Sequence, residues 1–192
     1  HEVRAAIEAL IPDISIAGLP CAFGAIAADM GSGEKLLIDS GSLRLAIRGS
    51  CAIPGLMDPV DVGGRMALDG GWVDKVPAGP ARELGATCVV AIDVSDELQD
   101  TQDLQGGLNI VHRGDAIRSH RLKLLQLGAA DLVVACDLRE IGWADFELAP
   151  EIIEAGRRAA ITALPAIRQA IERSALAQAP PPGRADVAVR WH

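Results

Sequence analysis

An α/β fold with a mainly parallel, mixed central sheet is the class this sequence predicts, on three observations. Two unbroken apolar runs rich in β-branched residues, TCVVAIDVS (87–95) and ADLVVACDL (130–138), have the pattern of strands buried on both faces. Helical spacing fills the stretches between and around them, the alternation that βαβ units produce. CAFGAIAADM (21–30) and EKLLIDS (34–40), joined by Gly31-Ser32-Gly33, read instead as a β-hairpin, so one side of the sheet is antiparallel.

The elements follow in order. Val3, Ile7 and Leu10 give residues 1–10 a helical stripe, and Pro12 ends it. After the hairpin, SLRLAIRG (42–49) is a short helix with Ser42 capping its start and Gly49 its end. The loop CAIPGLMDPVDVGG leads to RMALDGGWVDKVP (65–77), a short apolar strand closed by Asp69-Gly70-Gly71. PAGPARELG (77–85) is a helix stopped by Gly85. The strand at 87–95 is followed by a polar connection (96–109), a helix at 115–127, the strand at 130–138, and a loop holding Trp143 and Phe146. Pro150 opens the last helix at its first position, with Glu151 favourable in the first turn. Pro165 breaks or kinks that helix, and a second segment runs to about residue 177. The organisation is one domain over 1–177 and a Pro-rich tail, QAPPPGRADVAVRWH, over 178–192.

A chain of 192 residues suits one domain with a sizeable core. Tyrosine is absent and aromatics make up 3%, so Ala, Leu, Ile and Val must build that core. The net charge is −8 with no basic run, which argues against a nucleic-acid partner and gives no attraction to anionic membranes. Cys21, Cys51, Cys88 and Cys136 form no C-x-x-C pair, and no histidine stands near them at ligand spacing. They read as small buried hydrophobes in a reducing compartment, hence a cytoplasmic protein with no metal. No apolar run approaches the ~20 residues of a membrane helix. The chain opens HEVRAAIEAL without methionine, partway through a helix, so an N-terminal part is expected to be missing.

In open α/β sheets, sites lie outside the carboxyl ends of the strands. Asp69, Asp93 and Asp137 all occupy such ends. Asp69 before two glycines fits either a turn aspartate bonded to its own backbone or a base that activates a hydroxyl. The glycines would remove side chains and allow positive φ. Asp93 could hold a ribose, but no G-x-G-x-x-G and no P-loop occur, so no cofactor is indicated and a polar strand cap is the simpler reading. His112 and His120 flank Arg113, Arg118 and Arg121 as solvated helix surface, with no acid or cysteine to complete a metal set. None of the serines (Ser15, Ser32, Ser40, Ser42, Ser50, Ser95, Ser119, Ser174) lies in G-x-S-x-G, and no S-x-x-K occurs.

The order of these pieces resembles the C-terminal portion of a bacterial patatin-like phospholipase. The resemblance rests on LRLAIRGSCAIPGLMDPV (43–60), the short strand ending in LDGG, and VDKVPAGPARELGATCVVAIDVS (73–95). It extends more weakly through ADLVVACDL, WADFE (143–147) and the helix with Ala155-Gly156, covering about 18–170. It implies a three-layer α/β/α hydrolase whose Ser–Asp dyad cleaves carboxylic esters of lipids, with no cofactor. The family's DGG/DGA aspartate falls on Asp69 as the base, and Gly70 and Gly71 would let the turn pass close to the nucleophile. The family's G-x-S-x-G and oxyanion loop precede everything present here. Asp74 and Lys75 depart from the pattern, since asparagine is common at one of these positions. The partners implied are a lipid or small ester and transient contact with a membrane surface. A non-enzymatic alternative is a catalytically inactive remnant that acts by binding or assembly.

Overall fold

A computed structural model of the chain describes residues 2–95, 106–138, 141 and 145–178. The elements are α1 (Glu2–Leu10), β1 (Ala25–Asp29), β2 (Lys35–Ile38), α2 (Leu43–Ser50), β3 (Val60–Val62), β4 (Arg65–Asp69), α3 (Ala78–Glu83), β5 (Val90–Asp93), α4 (Gly107–Leu127), β6 (Leu132–Ala135) and α5 (Ala149–Gln178). The class is α/β with strands of both kinds. β2-β1-β4-β3 form one antiparallel ladder, and β5 and β6 form a parallel pair. Among the described residues the antiparallel part is therefore the larger, and the parallel register is confined to β5 and β6. Of the tail, only Gln178 is described, as the last residue of α5. Trp143 lies outside the described residues.

The hairpin forms where expected. Ala25 pairs with Ile38 and Ala28 with Lys35. Asp29 locks its turn by accepting from the Gly31 amide at 3.0 Å and the Ser32 hydroxyl at 2.9 Å. Arg65 of β4 then bridges Asp29 and Glu34, tying the hairpin to the neighbouring strand. Ser42 caps α2 by accepting from the Leu45 amide at 3.2 Å.

Small residues set the spacing of the core. Ala27, Ala46, Ala52 and Ala67 are all fully buried. Together with Ile16, Ile38 and Leu43, most of them pack α2 onto β1 and β4. Gly49 belongs to this packing and is not the helix cap, which is Cys51. A Cβ on Gly49 would stand 3.2 Å from the Ala67 Cβ and 3.3 Å from Val62 Cγ2, so the helix approaches the sheet as closely as its backbone permits.

Three further expectations are corrected. β5 and β6 are not buried on both faces: Ala91 and Asp93 are 5% and 7% exposed, but Ile92 and Val94 are 51% and 60%. α5 packs on β6 and the buried Lys123 of α4 reaches Asp93 of β5, yet Ile92 on one face and Val133 on the other stay exposed. An unbroken apolar run signals burial only when both faces find a partner. Second, α5 continues through Pro165. The proline lies on the exposed side near Ile161, the residue whose carbonyl it leaves unpaired, so water can take the lost bond. Third, Cys21 and Cys51 are exposed and Cys88 and Cys136 half-buried; all four are free thiols. No helix among the described residues is long and apolar enough to cross a membrane.

Candidate active site

β4 carries Asp69 at its carboxyl end, paired in register with Ala27 of β1. The Asp69 amide donates to the Ala52 carbonyl at 2.9 Å, which draws the loop after α2 against the strand end. A 3-10 turn, Gly70–Trp72, follows at once, and Asp69 caps it: its Oδ1 accepts from the Gly71 amide at 2.7 Å. The turn reading of Asp69 is the one these bonds express. One carboxylate oxygen fixes the turn, and Oδ2 takes no bond among the described residues.

The glycines are needed for space, and neither has positive φ. A Cβ on Gly70 would lie 2.1 Å from the Ile26 carbonyl oxygen and 2.6 Å from its carbon. Gly70 therefore lets the turn pass against the backbone of β1. A Cβ on Gly71 would meet only the Asp69 Oδ1 at 3.0 Å, with Lys75 Cγ beyond at 3.9 Å. Gly70 is held by geometry, whereas Gly71 stands against a rotatable oxygen.

The residues after the turn are anchored from three sides. The Gly70 carbonyl accepts from the Val73 amide at 3.0 Å and the Asp74 amide at 2.8 Å. Asp74 is buried and pairs through Oδ2 with Lys35 Nζ of β2 at 3.1 Å; its Oδ1 has no partner among the described residues. The charged departure at 74 is thus absorbed by a strand-borne lysine. From α4, Gln126 Nε2 donates to the Val73 carbonyl at 2.9 Å and its Oε1 accepts from the Lys75 amide at 3.0 Å. The Arg118 guanidinium lies over the Trp72 ring at 5.9 Å.

Although Cys51 is exposed as a residue, partial desolvation of its thiol and the Asp69 charge raise that thiol above its usual range. Cys51 thus stays protonated at neutral pH, and this neighbour of Asp69 is no activated nucleophile.

Asp93 and Asp137 do not join Asp69. Asp93 ends β5 in the other sheet, where its Oδ2 pairs with Lys123 Nζ of α4 at 2.9 Å and both side chains are buried. Burial pushes its carboxyl up, but the Ser95 hydroxyl, Lys123 and the Ser95 amide together hold it below the ordinary range. That arrangement is a polar strand cap locked to a helix. Asp137 follows β6 and is exposed. His120 is half-buried rather than solvated, and its Nδ1 has no partner among the described residues. No cluster of three metal-ligating side chains occurs among the described residues. Gln126 escaped the sequence reading because its partners lie 51 and 53 positions away and LKLLQLG gives no local sign of them.

Comparison with known proteins points the same way. Residues 17–82, which include Asp69-Gly70-Gly71, match the patatin-like phospholipase family. An uncharacterized NTE family protein of Mycobacterium tuberculosis is 33% identical over 95 residues, covering 50% of this chain and 26% of that protein. A counterpart in Mycobacterium bovis matches equally. A patatin-like phospholipase domain-containing protein of Caenorhabditis elegans is 40% identical over 91 residues, covering 45% of this chain and 6% of that protein. The chain thus aligns with about a quarter of the length of the mycobacterial relatives. The α/β fold agrees with that match. Over residues 17–82 the chain is similar to the patatin-like phospholipase family.

Proposed function

We propose that this chain supplies the acidic half of a Ser–Asp dyad that hydrolyses carboxylic esters of lipids. Asp69 is the base. Its Oδ1 is tied to the Gly71 amide, which leaves Oδ2 to take the proton of a serine hydroxyl. The serine oxygen then attacks the ester carbonyl, Asp69 returns the proton to the departing alkoxide, and the alcohol leaves an acyl-serine behind. A water molecule next gives a proton to Asp69 and attacks the acyl carbonyl; Asp69 passes that proton to the serine oxygen as the acid departs, which restores both groups. The serine and the oxyanion donors come from sequence beyond these 192 residues, because no serine here lies in G-x-S-x-G. Gly70 serves by keeping the turn tight against β1, and Gly71 by offering its amide to the carboxylate.

The observation that carries this reading is a strand-end carboxylate with one oxygen fixed and one open, inside the segment that matches the family. The experiment is hydrolysis of a short-chain ester and a phospholipid by the full-length protein and its Asp69→Ala variant. Activity lost in the variant supports the role of Asp69, and activity retained removes it. The missing elbow favours a second reading, an inactive remnant that works by binding. A serine-directed fluorophosphonate that labels the full-length protein excludes that reading, and absence of labelling supports it.

A further inference from the structure

We infer that Gln126 is a positioning residue for the Asp69 turn, an inference that rests on the dyad reading above. The turn is a chain of short links. Asp69 Oδ1 holds the Gly71 amide, and the Gly70 carbonyl holds the Val73 and Asp74 amides. Lys35 of β2 then holds the Asp74 side chain, and α4 holds the backbone on either side of it. Gln126 clamps it: one amide group donates to the Val73 carbonyl and accepts from the Lys75 amide, at 2.9 Å and 3.0 Å. A side-chain amide suits this task because it offers a donor and an acceptor in one plane. Neither an acid nor a lysine can do both at neutral pH.

The clamp is rooted at its own end. One turn earlier on α4, the buried Lys123 pairs with Asp93, so α4 is pinned to β5 at 2.9 Å. Eight residues before Gln126, Arg118 covers Trp72, the last residue of the 3-10 turn. α4 therefore grips the turn at Trp72 and on both sides of Asp74. A shift of residues 73–75 relative to α4 would break these bonds, and such a shift is passed to Asp69 through the Gly70 carbonyl and the Gly71 amide. Positioning of this kind matters because a misplacement of about 1 Å can cost on the order of 100-fold in rate.

Two variants of the full-length protein test the inference. Gln126→Leu removes both bonds at similar size. It should lower kcat for a short-chain ester about ten- to hundredfold and leave KM within about twofold, since both bonds of Gln126 go to the backbone of the turn. Gln126→Glu keeps the acceptor but sets a carboxylate against the Val73 carbonyl. In acid the protonated carboxyl regains the amide's pattern, with its O–H donating to Val73 and its C=O accepting from Lys75. The ratio of variant to wild-type kcat should therefore rise as the pH falls from about 7 toward about 5, because an ionised oxygen facing a carbonyl titrates above the usual carboxylate range. The charged residues nearest this contact in sequence are Asp74 and Lys75 on the turn and Lys123 on α4, the last held by Asp93. A flat ratio, wild-type kcat in both variants, or a loss confined to KM overturns the clamp. Asp69→Asn separates the two levels. Wild-type turnover in that variant removes the dyad reading itself, whereas an inactive Asp69→Asn beside fully active Gln126 variants removes only the clamp.

Discussion

Gly70→Ala is the sharpest test of how the site is built. The new Cβ would stand 2.1 Å from the Ile26 carbonyl oxygen and 2.6 Å from its carbon, whereas Cβ atoms in proteins essentially never approach below 3.0 Å. The turn or the strand must therefore move by about an ångström. The strand will not give way easily. Ile26 is buried, pairs with Leu37 of β2, and precedes Ala27, which pairs with Asp69. The displacement falls on residues 69–71. Overpacking against a fixed backbone costs about 3 kcal/mol, the upper part of the usual range. The same ångström applied to the carboxylate lowers turnover on the order of 100-fold. Gly71→Ala is the control. Its Cβ meets only the Asp69 Oδ1 at 3.0 Å, which a small side-chain rotation relieves, so the cost is about 1 kcal/mol or less. The assay is denaturant unfolding and ester turnover of both variants in the full-length protein. Wild-type stability and turnover in Gly70→Ala would refute the reasoning, as would equal damage in Gly71→Ala.

Three other outcomes follow from the same contacts. Lys123→Met leaves Asp93 buried without its cation and should cost about 3–5 kcal/mol at neutral pH by denaturant titration. In the wild type the folded Asp93 carboxyl titrates below the unfolded value of about 3.9. Its contribution to stability is thus complete above that value and is lost as the pH falls through the folded one, so the deficit of Lys123→Met should shrink in acid. Asp69→Asn removes the charge that helps to raise the Cys51 thiol, so iodoacetamide should alkylate Cys51 about two- to tenfold faster near pH 8. Ser42→Ala deletes the cap bond to the Leu45 amide and should cost about 1 kcal/mol in the same unfolding titration.

What could be read from the sequence was what local chemistry decides. The hairpin around Gly31-Ser32-Gly33, the Ser42 cap and the placement of Asp69 at a strand end all depend on neighbours within a few positions, and the structure has them. Distant partners were not legible. Gly49 looked like a helix end because a glycine there usually is one; its reason is Ala67, in β4. The runs at 87–95 and 130–138 looked doubly buried, yet burial depends on what the rest of the chain lays against them. Pro165 was expected to interrupt α5, but exposure lets water satisfy the freed carbonyl. At the site, Asp69 was legible and its fixation was not. The steric demand at Gly70 comes from Ile26, and the hold on Val73 and Lys75 comes from Gln126.

The most direct measurement of the central claim is the rate of acyl-serine formation by Asp69→Asn in the full-length protein, followed in a single turnover with a chromogenic short-chain ester. Asparagine keeps an oxygen for the Gly71 amide, so the turn survives and only the base is lost. The account predicts acylation slower by about 10³-fold or more. Acylation within a few-fold of wild type would contradict it.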